Sequence, residues 1–188
     1  YESGRRTLTK VKISGGGRCN VTHNCFDAKR LVQHYPRGGR ELLGAFHRWQ
    51  PTDTLQWFAE RGVEVKAEPD GRMFPITDDS QTIIDCFERE AQGAGIRICK
   101  SVGLDSLAVG KDGRFDLEIS DGSLTRADKV CIAAGSLKGS KIERILTGLG
   151  HSIEPLAPSL FAFNLADKRT NGLAGISVQN ASVQTARK

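Results

Sequence analysis

At 188 residues, 38% of them hydrophobic and 26% charged, the chain has enough apolar mass for a buried core, which excludes wholesale disorder. Its formal net charge of +5 is modest, and the cations are scattered among acids except at Gly4-Arg5-Arg6 and Arg37 to Arg40. That pattern fits a soluble protein with a mild preference for anionic ligands and argues against a dedicated nucleic-acid binder.

No apolar run of about 18 residues exists, so no membrane-spanning helix is expected, and Tyr1-Glu2-Ser3-Gly4 has none of the apolar middle of a secretory leader. The first residue is not methionine, which points to missing upstream sequence. Cys19, Cys25, Cys86, Cys99 and Cys131 are odd in number and widely spaced. They read as reduced thiols of a cytoplasmic protein, not as a disulfide framework.

In chain order, Val11 to Ile13 reads as a short strand ending at Ser14 and followed by a triple-glycine loop. "DAKRLVQHY" begins with a candidate N-cap, Asp27, and predicts a short helix. "ELLGAFHRW" predicts a second helix cut by Pro51. "PTDTLQWFAERG" predicts a third, with Leu55, Phe58 and Ala59 on one face and Gly62 at the C-terminal cap. "VEVKAE" alternates as a strand does.

The next thirty residues read as a loop through "PDGRMFP", a helix, and a strand. Asp79 or Ser80 caps that helix, Ile83, Ile84, Phe87 and Ala91 form its stripe, and Gly93 and Gly95 end it before the strand "IRIC". From Val102 to Ala127, turns at "KDG" and "SDG" predict an antiparallel meander of three strands. "KVCIAAGS" is apolar nearly throughout and reads as a strand buried on both faces of a parallel sheet. A helix follows, with Ile142, Ile145, Leu146 and Leu149 at i, i+3, i+4 and i+7. Two prolines in "EPLAPSL" mark a boundary, and the alternating segments beyond it read as the first strands of a separate β unit. The predicted organisation is a domain over residues 1–156 and the start of a second over 157–188.

The glycine loop carries the chemistry. Ser14-Gly15-Gly16-Gly17 can present backbone amides with no side chain in the way, Arg18 adds a fork of donors, and Asn20 offers both a donor and an acceptor. Such a run suits a phosphate-bearing or flavin-type cofactor. It is not a Walker A loop, which requires a Lys and a Ser or Thr after the last glycine, nor is it G-x-G-x-x-G. "VCIAAGS" is a second candidate, because a buried strand ending in small residues admits a ligand to the carboxyl end of a sheet.

Read together and in order, "KISGGGRCNVT", "GRMFP", "AGIRI" with Val102, the meander, "VCIAAGS" and "LGHSIEPLAPSL" resemble the bacterial YhiN/BaiN-type FAD-dependent oxidoreductases, some of them aminoacetone-oxidase-like. The resemblance runs from about Lys10 to Val178. It implies an α/β fold: a partial glutathione-reductase-like FAD-binding domain, with a parallel sheet, helices and a small antiparallel meander, followed by the start of an inserted β-barrel-like domain.

The same resemblance implies that Gly15, Gly16, Gly17, Arg18, Cys19 and Asn20 lie against FAD and that Val102 contacts the adenine through its backbone. It implies that Ala133, Ala134 and Gly135 form a second flavin-contacting motif, with Ala134 where that superfamily usually has Thr. Arg72, Phe74 and Pro75 match a loop near the flavin. The family's G-x-G-x-x-G unit, which receives the pyrophosphate at a helix N-terminus, would precede Tyr1. A closing glycine-rich segment would follow Lys188, so the chain reads as an internal piece.

The function implied is electron transfer between FAD and a pyridine nucleotide, NAD(P)H, or a small organic substrate, with no nucleic acid or membrane as partner. The alternative is a non-catalytic remnant, or a fragment that binds an anion or a partner.

Other constellations have plainer explanations. Cys19, His23 and Cys25, with His34 as the nearest fourth candidate, match no common zinc spacing, and no metal is expected. Cys19 beside Arg18 could be a reactive thiolate, although a small packing residue is the simpler role. Asp78-Asp79 reads as a helix start ahead of an acid–base pair, and His151 as a partner of a helix C-terminus. Trp49 and Trp57 read as core or interface residues. No catalytic acid or base is identified.

Overall fold

Two three-stranded antiparallel sheets organise the computed structural model, which describes residues 1–135, 137, 139–157, 168, 171–173 and 182. The chain divides into two units, Tyr1–Gly135 and Ser136–Lys188.

In the first unit, Thr9–Ile13 forms a short helix, α1, leading into a 3-10 turn at Ser14–Gly17. Here the structure corrects the predicted strand at Val11 to Ile13. Among the described residues no strand lies beside this segment, so its backbone groups close locally, with Lys12 N donating to Leu8 O at 2.9 Å. The buried Ser80 hydroxyl donates to Lys12 O at 2.9 Å and ties the segment down.

Strand β1, Thr22–His23, pairs with β3, Arg72–Pro75, which also pairs with β2, Val65–Ala67. "GRMFP", expected as a loop, is therefore the central strand of this sheet. The turn that makes this possible is tight: Gly71 N donates to Glu68 O at 2.9 Å and Glu68 N to Arg72 O at 2.8 Å, with Gly71 at φ +85°.

Between β1 and β2 lie α2 (Ala28–Leu31), a 3-10 turn at Val32–His34, α3 (Gly39–Phe46) and α4 (Pro51–Ala59). Asp27 caps α2 as the sequence predicts, accepting from Arg30 N at 2.8 Å. Gly62 ends α4 in a Schellman arrangement: Val63 N reaches Phe58 O at 2.9 Å and Gly62 N reaches Ala59 O at 3.0 Å. The long helix α5, Ser80–Gly93, is capped by Asp79 and closed by Gly95 in the same way, Ile96 N reaching Ala91 O.

The core gathers Cys19, Phe58, Val63, Ile83 and Cys86, with Val11, Val21, Trp57 and Val65 packed on it. Trp57 packs edge-on against Phe58, whereas Trp49 is 53% exposed and belongs to no core.

Strands β4 (Leu104–Val109), β5 (Phe115–Ile119) and β6 (Leu124–Ala127) form the predicted meander with successive antiparallel pairing. Two other expected strands do not form. Residues 96–99 form no strand; the adjoining Lys100 makes an isolated parallel bridge to Glu2, supported by Glu2 N donating to Cys99 O at 2.8 Å. Residues 130–135 form no strand, and Cys131, Ala133, Ala134 and Gly135 are exposed. A strand buried on both faces requires a neighbour on each side, and among the described residues none flanks these two segments. The parallel sheet expected from the sequence is thus not what the described residues build; both of their sheets are antiparallel.

The second unit holds α6, Lys141–Gly148, with Ser140 capping it by accepting from Glu143 N at 3.1 Å. Gly150 and His151 close its C-terminus, His151 N donating to Leu146 O at 3.1 Å. The β unit expected from residue 157 falls, apart from isolated positions, outside the described residues. Among the described residues no helix is long and apolar enough to cross a membrane.

Candidate functional site

The fold brings "GGGRCN" and "GRMFP" into contact, two motifs separated by some fifty positions in the chain. Gly15, Gly16 and Gly17 take φ values of +56°, +69° and +88°, and Cys19 follows at +63°. This left-handed run turns the chain back, with Cys19 N donating to Ser14 O at 3.0 Å. Gly15 lies directly on Phe74: a Cβ there would fall 2.8 Å from Phe74 Cε1 and 2.9 Å from Asn20 N. At Gly16 the same atom would meet nothing within 4 Å. The loop therefore has an inner glycine that packs and a second that leaves the backbone open.

Asn20 Oδ1 accepts from Met73 N at 3.2 Å, and Val21 N donates to Met73 O at 2.8 Å, fastening the loop's exit to β3. Cys19 is buried in the core, so it acts as the small packing residue.

Phe74 and Pro75 are both fully buried. They support the loop from beneath. Arg72, on the same strand, is exposed.

The guanidinium carbon of Arg18 lies 3.9 Å over the Phe74 ring, while its Nη1 donates to Glu68 Oε1 at 2.5 Å and approaches Asp78 at 3.5 Å. Arg72 pairs with Asp70 at 2.7 Å and Glu68 at 3.5 Å, and Lys66 pairs closely with Asp78. The three cations are thus matched by Glu68, Asp70 and Asp78. The Glu68 hydrogen bond raises the Arg18 pKa further despite partial desolvation. The hydrogen bond from Lys66 holds the Asp78 carboxyl below its ordinary range, and that from the Arg72 backbone does the same for Asp70. With its cations neutralised, this face suits a flat, largely uncharged ring better than a free phosphate.

The remaining expected positions lie elsewhere on the first unit. Val102 N donates to Glu2 O at 3.1 Å, which holds its backbone against the amino-terminal segment. Lys10 in α1 donates to Ala134 O at 3.3 Å, and a Cβ on Gly135 would collide with Lys10 Nζ. One lysine therefore links the helix that feeds the glycine loop to Ala133-Ala134-Gly135.

Asp78 and Asp79 divide their work: Asp79 caps α5, while Asp78, at φ +53°, serves the charge network. Among the described residues no group of three or more His, Cys, Asp and Glu gathers as a metal site. Instead the His23 and His34 rings meet at a tilt of 39° with centroids 5.3 Å apart, lining an open depression of about 830 Å³.

Sequence reasoning passed over Lys66, Glu68 and Lys10. A signal for the first two was present, since the period of two puts Lys66 and Glu68 on one face of "VEVKAE" and the "PDG" turn brings that face to Arg72.

The family model described as the HI0933-like protein Rossmann domain matches residues 1–186. Among curated proteins, the chain is 27% identical over 157 residues to a 3-dehydro-bile acid delta(4,6)-reductase of Clostridium scindens, covering 80% of this chain and 37% of that protein. It is 26% identical over 152 residues to a ribosomal RNA dihydrouridine synthase of Escherichia coli, covering 80% and 34% respectively. The synthase of that name from Haemophilus influenzae is 22% identical over 189 residues, 95% of this chain and 46% of that one. The chain thus spans less than half the length of these relatives.

Proposed function

The chain belongs to the HI0933-like Rossmann-domain family of YhiN/BaiN-type FAD-dependent oxidoreductases, and on that footing we propose that it forms one wall of an FAD site in a reductase. The observation that carries this reading is the open backbone at Gly16, left-handed and held by Gly15 on the fully buried Phe74. A side-chain-free segment on a rigid base lets a flat ring approach the main chain closely.

The residues present fit such a ring. Gly16, Gly17 and Asn20 would contact it, with Arg18 and Arg72 at the rim. Ala133, Ala134 and Gly135 would contribute a second approach, and Val102 the adenine end. FAD, when bound, supplies the electron transfer; the chain's part is to position the ring and exclude competing contacts.

The relatives' names add a substrate class. One reduces a delta(4,6) bile acid bearing a 3-dehydro group, and the other makes dihydrouridine in ribosomal RNA. Both describe addition of hydrogen to a carbon–carbon double bond near a carbonyl, and we extend that chemistry to this protein, with a pyridine nucleotide as the electron source. The five free thiols support a reducing, cytoplasmic setting. The segment from residue 157 is taken as the start of an inserted β-barrel-like domain.

The test is flavin content of the full-length protein, followed by anaerobic bleaching of the flavin band with NADH or NADPH and recovery on adding an enone or a uridine-containing RNA. Full-length protein purified without flavin, and unable to take it up, would overturn the reading in favour of a non-catalytic remnant.

A further inference from the structure

No flavin contact is assigned to the depression beside β1. His23 and Asn24 line it from β1 and the residue that follows, while Arg30, Gln33 and His34 line it from α2 and the 3-10 turn. Its volume of about 830 Å³ is that of a small-molecule site. Polar side chains on two walls therefore converge on one space.

Both walls are fixed by the fold. Asn24 N donates to Gly71 O at 2.9 Å, and His23 sits opposite Arg72 in the pairing of β1 with β3. A Cβ on Gly71 would collide with His23 Nε2 and fall 2.7 Å from Asn24 Oδ1, so glycine at that turn is what leaves the two side chains room. On the other side Asp27 caps α2 and Tyr35 N closes the 3-10 turn by donating to Val32 O at 3.1 Å. The contact between the His23 and His34 rings joins the walls.

Among the described residues none of these five side chains makes a hydrogen bond or an ion pair. His23 Nδ1 is buried without a partner, so the protein leaves part of that ring's hydrogen-bonding capacity unanswered. Donors predominate. Arg30 brings five N–H groups in a planar fork, Asn24 and Gln33 each bring an amide NH2, and each imidazole can donate an N–H. The acid among the lining residues, Asp27, is engaged in accepting from Arg30 N at 2.8 Å.

A donor-rich space suits an acceptor-rich, negatively charged ligand, and a planar carboxylate matches both a guanidinium fork and an amide edge. Donors stand on both walls, so a ligand with one carboxylate, or a compact inorganic anion, would engage one wall only. We propose that this depression binds a small dicarboxylate, one carboxylate held by Arg30 and Gln33 and the other by Asn24 beside the two imidazoles. The proposal goes beyond the flavin reading and uses none of the residues assigned to the ring.

The test is isothermal titration calorimetry of the full-length protein with succinate, which should saturate with a Kd below about 1 mM. Butanoate, with the same carbon count and one carboxylate, should bind about tenfold more weakly or worse, and so should inorganic phosphate. Arg30→Gln should lose about tenfold or more, and Asn24→Ala about fivefold. Both residues are exposed, so the variants should keep the fold, as circular dichroism would show. The control Arg40→Gln removes an exposed cation of α3 outside the depression and should bind as the unaltered protein does.

Saturation only above about 1 mM, equal affinity for butanoate or phosphate, unchanged affinity in Arg30→Gln, or an equal loss in Arg40→Gln would each overturn the proposal. Flavin content, read on the same samples, keeps the two proposals apart. Succinate binding by a flavin-free protein counts against the earlier reading alone, and a flavin-loaded protein that ignores succinate counts against this one alone.

Discussion

The guanidinium carbon of Arg18 lies over the ring of Phe74, 3.9 Å from its centroid, although the two residues are more than fifty positions apart. Beneath it the ring has no solvent exposure at all. Phe74 is therefore the foundation on which Gly15 rests and Arg18 stacks, and truncating it removes support from both. We expect Phe74→Ala to destabilise the fold by about 3–5 kcal/mol, measured by denaturant unfolding, and to empty the flavin site. Arg18→Ala should lower stability far less while weakening flavin retention. Equal effects of the two variants would contradict this hierarchy.

Adjacent glycines should respond differently. In Gly15→Ala the new methyl carbon meets Phe74 Cε1 and Asn20 N at 2.8 and 2.9 Å, with backbone on one side and a buried ring on the other. Neither can yield cheaply, so the variant should be poorly folded. Gly16→Ala meets no neighbour and carries only the left-handed backbone cost of roughly 1–2 kcal/mol. It should fold, yet hold flavin less well because its methyl projects where we propose that the ring approaches. Circular dichroism combined with flavin absorbance separates these outcomes.

Asp78 makes stability depend on pH in a definite direction. Its carboxyl is held below the ordinary range by Lys66 and, more weakly, by Arg18. A depressed folded pKa contributes stability above the ordinary carboxylate value of about 3.9, and that contribution is lost as pH falls through the lower folded value. Asp78→Asn tolerates the same φ of +53°, since Asn also visits the left-handed region, and removes only the charge. The variant should be less stable at neutral pH, and its deficit should vanish in strong acid. Urea titrations at both ends would show this.

Thiol chemistry gives an independent check on burial. Cys131 is exposed, while Cys19 and Cys86 are buried and burial pushes the Cys86 thiol up. Iodoacetamide should label Cys131 first and reach Cys19 and Cys86 only after unfolding, as read by peptide mass spectrometry. Early labelling of Cys19 would mean that the glycine turn opens readily.

Local signals were legible. Caps at Asp27, Asp79 and Ser140, glycine stops at Gly62, Gly95 and Gly150, and the hairpin turns of the meander follow from residue chemistry within a few positions. Long-range pairing was not. "KVKI" alternates as a strand should, but it forms a helix, and among the described residues nothing pairs with it. "VCIAAG" has the apolar run of a buried strand, but among the described residues it has no neighbouring strand to bury it.

At the site, the glycines and Asn20 stood out because glycine runs require a reason. The neutralisation of Arg18 by Glu68 and Asp78 was hidden, since it depends on the register that sets Lys66 opposite Phe74.

The route by which the glycine turn is anchored also orders its assembly. Strands β4 to β6 join through short turns, and β2 to β3 through another, so each can zip up from local contacts. Arg18 to Glu68 and Asn20 to Met73 must close loops of about fifty residues, and closure entropy grows with length. During refolding the hairpins should be protected from amide exchange early, with protection at Asn20 to His23 arriving last.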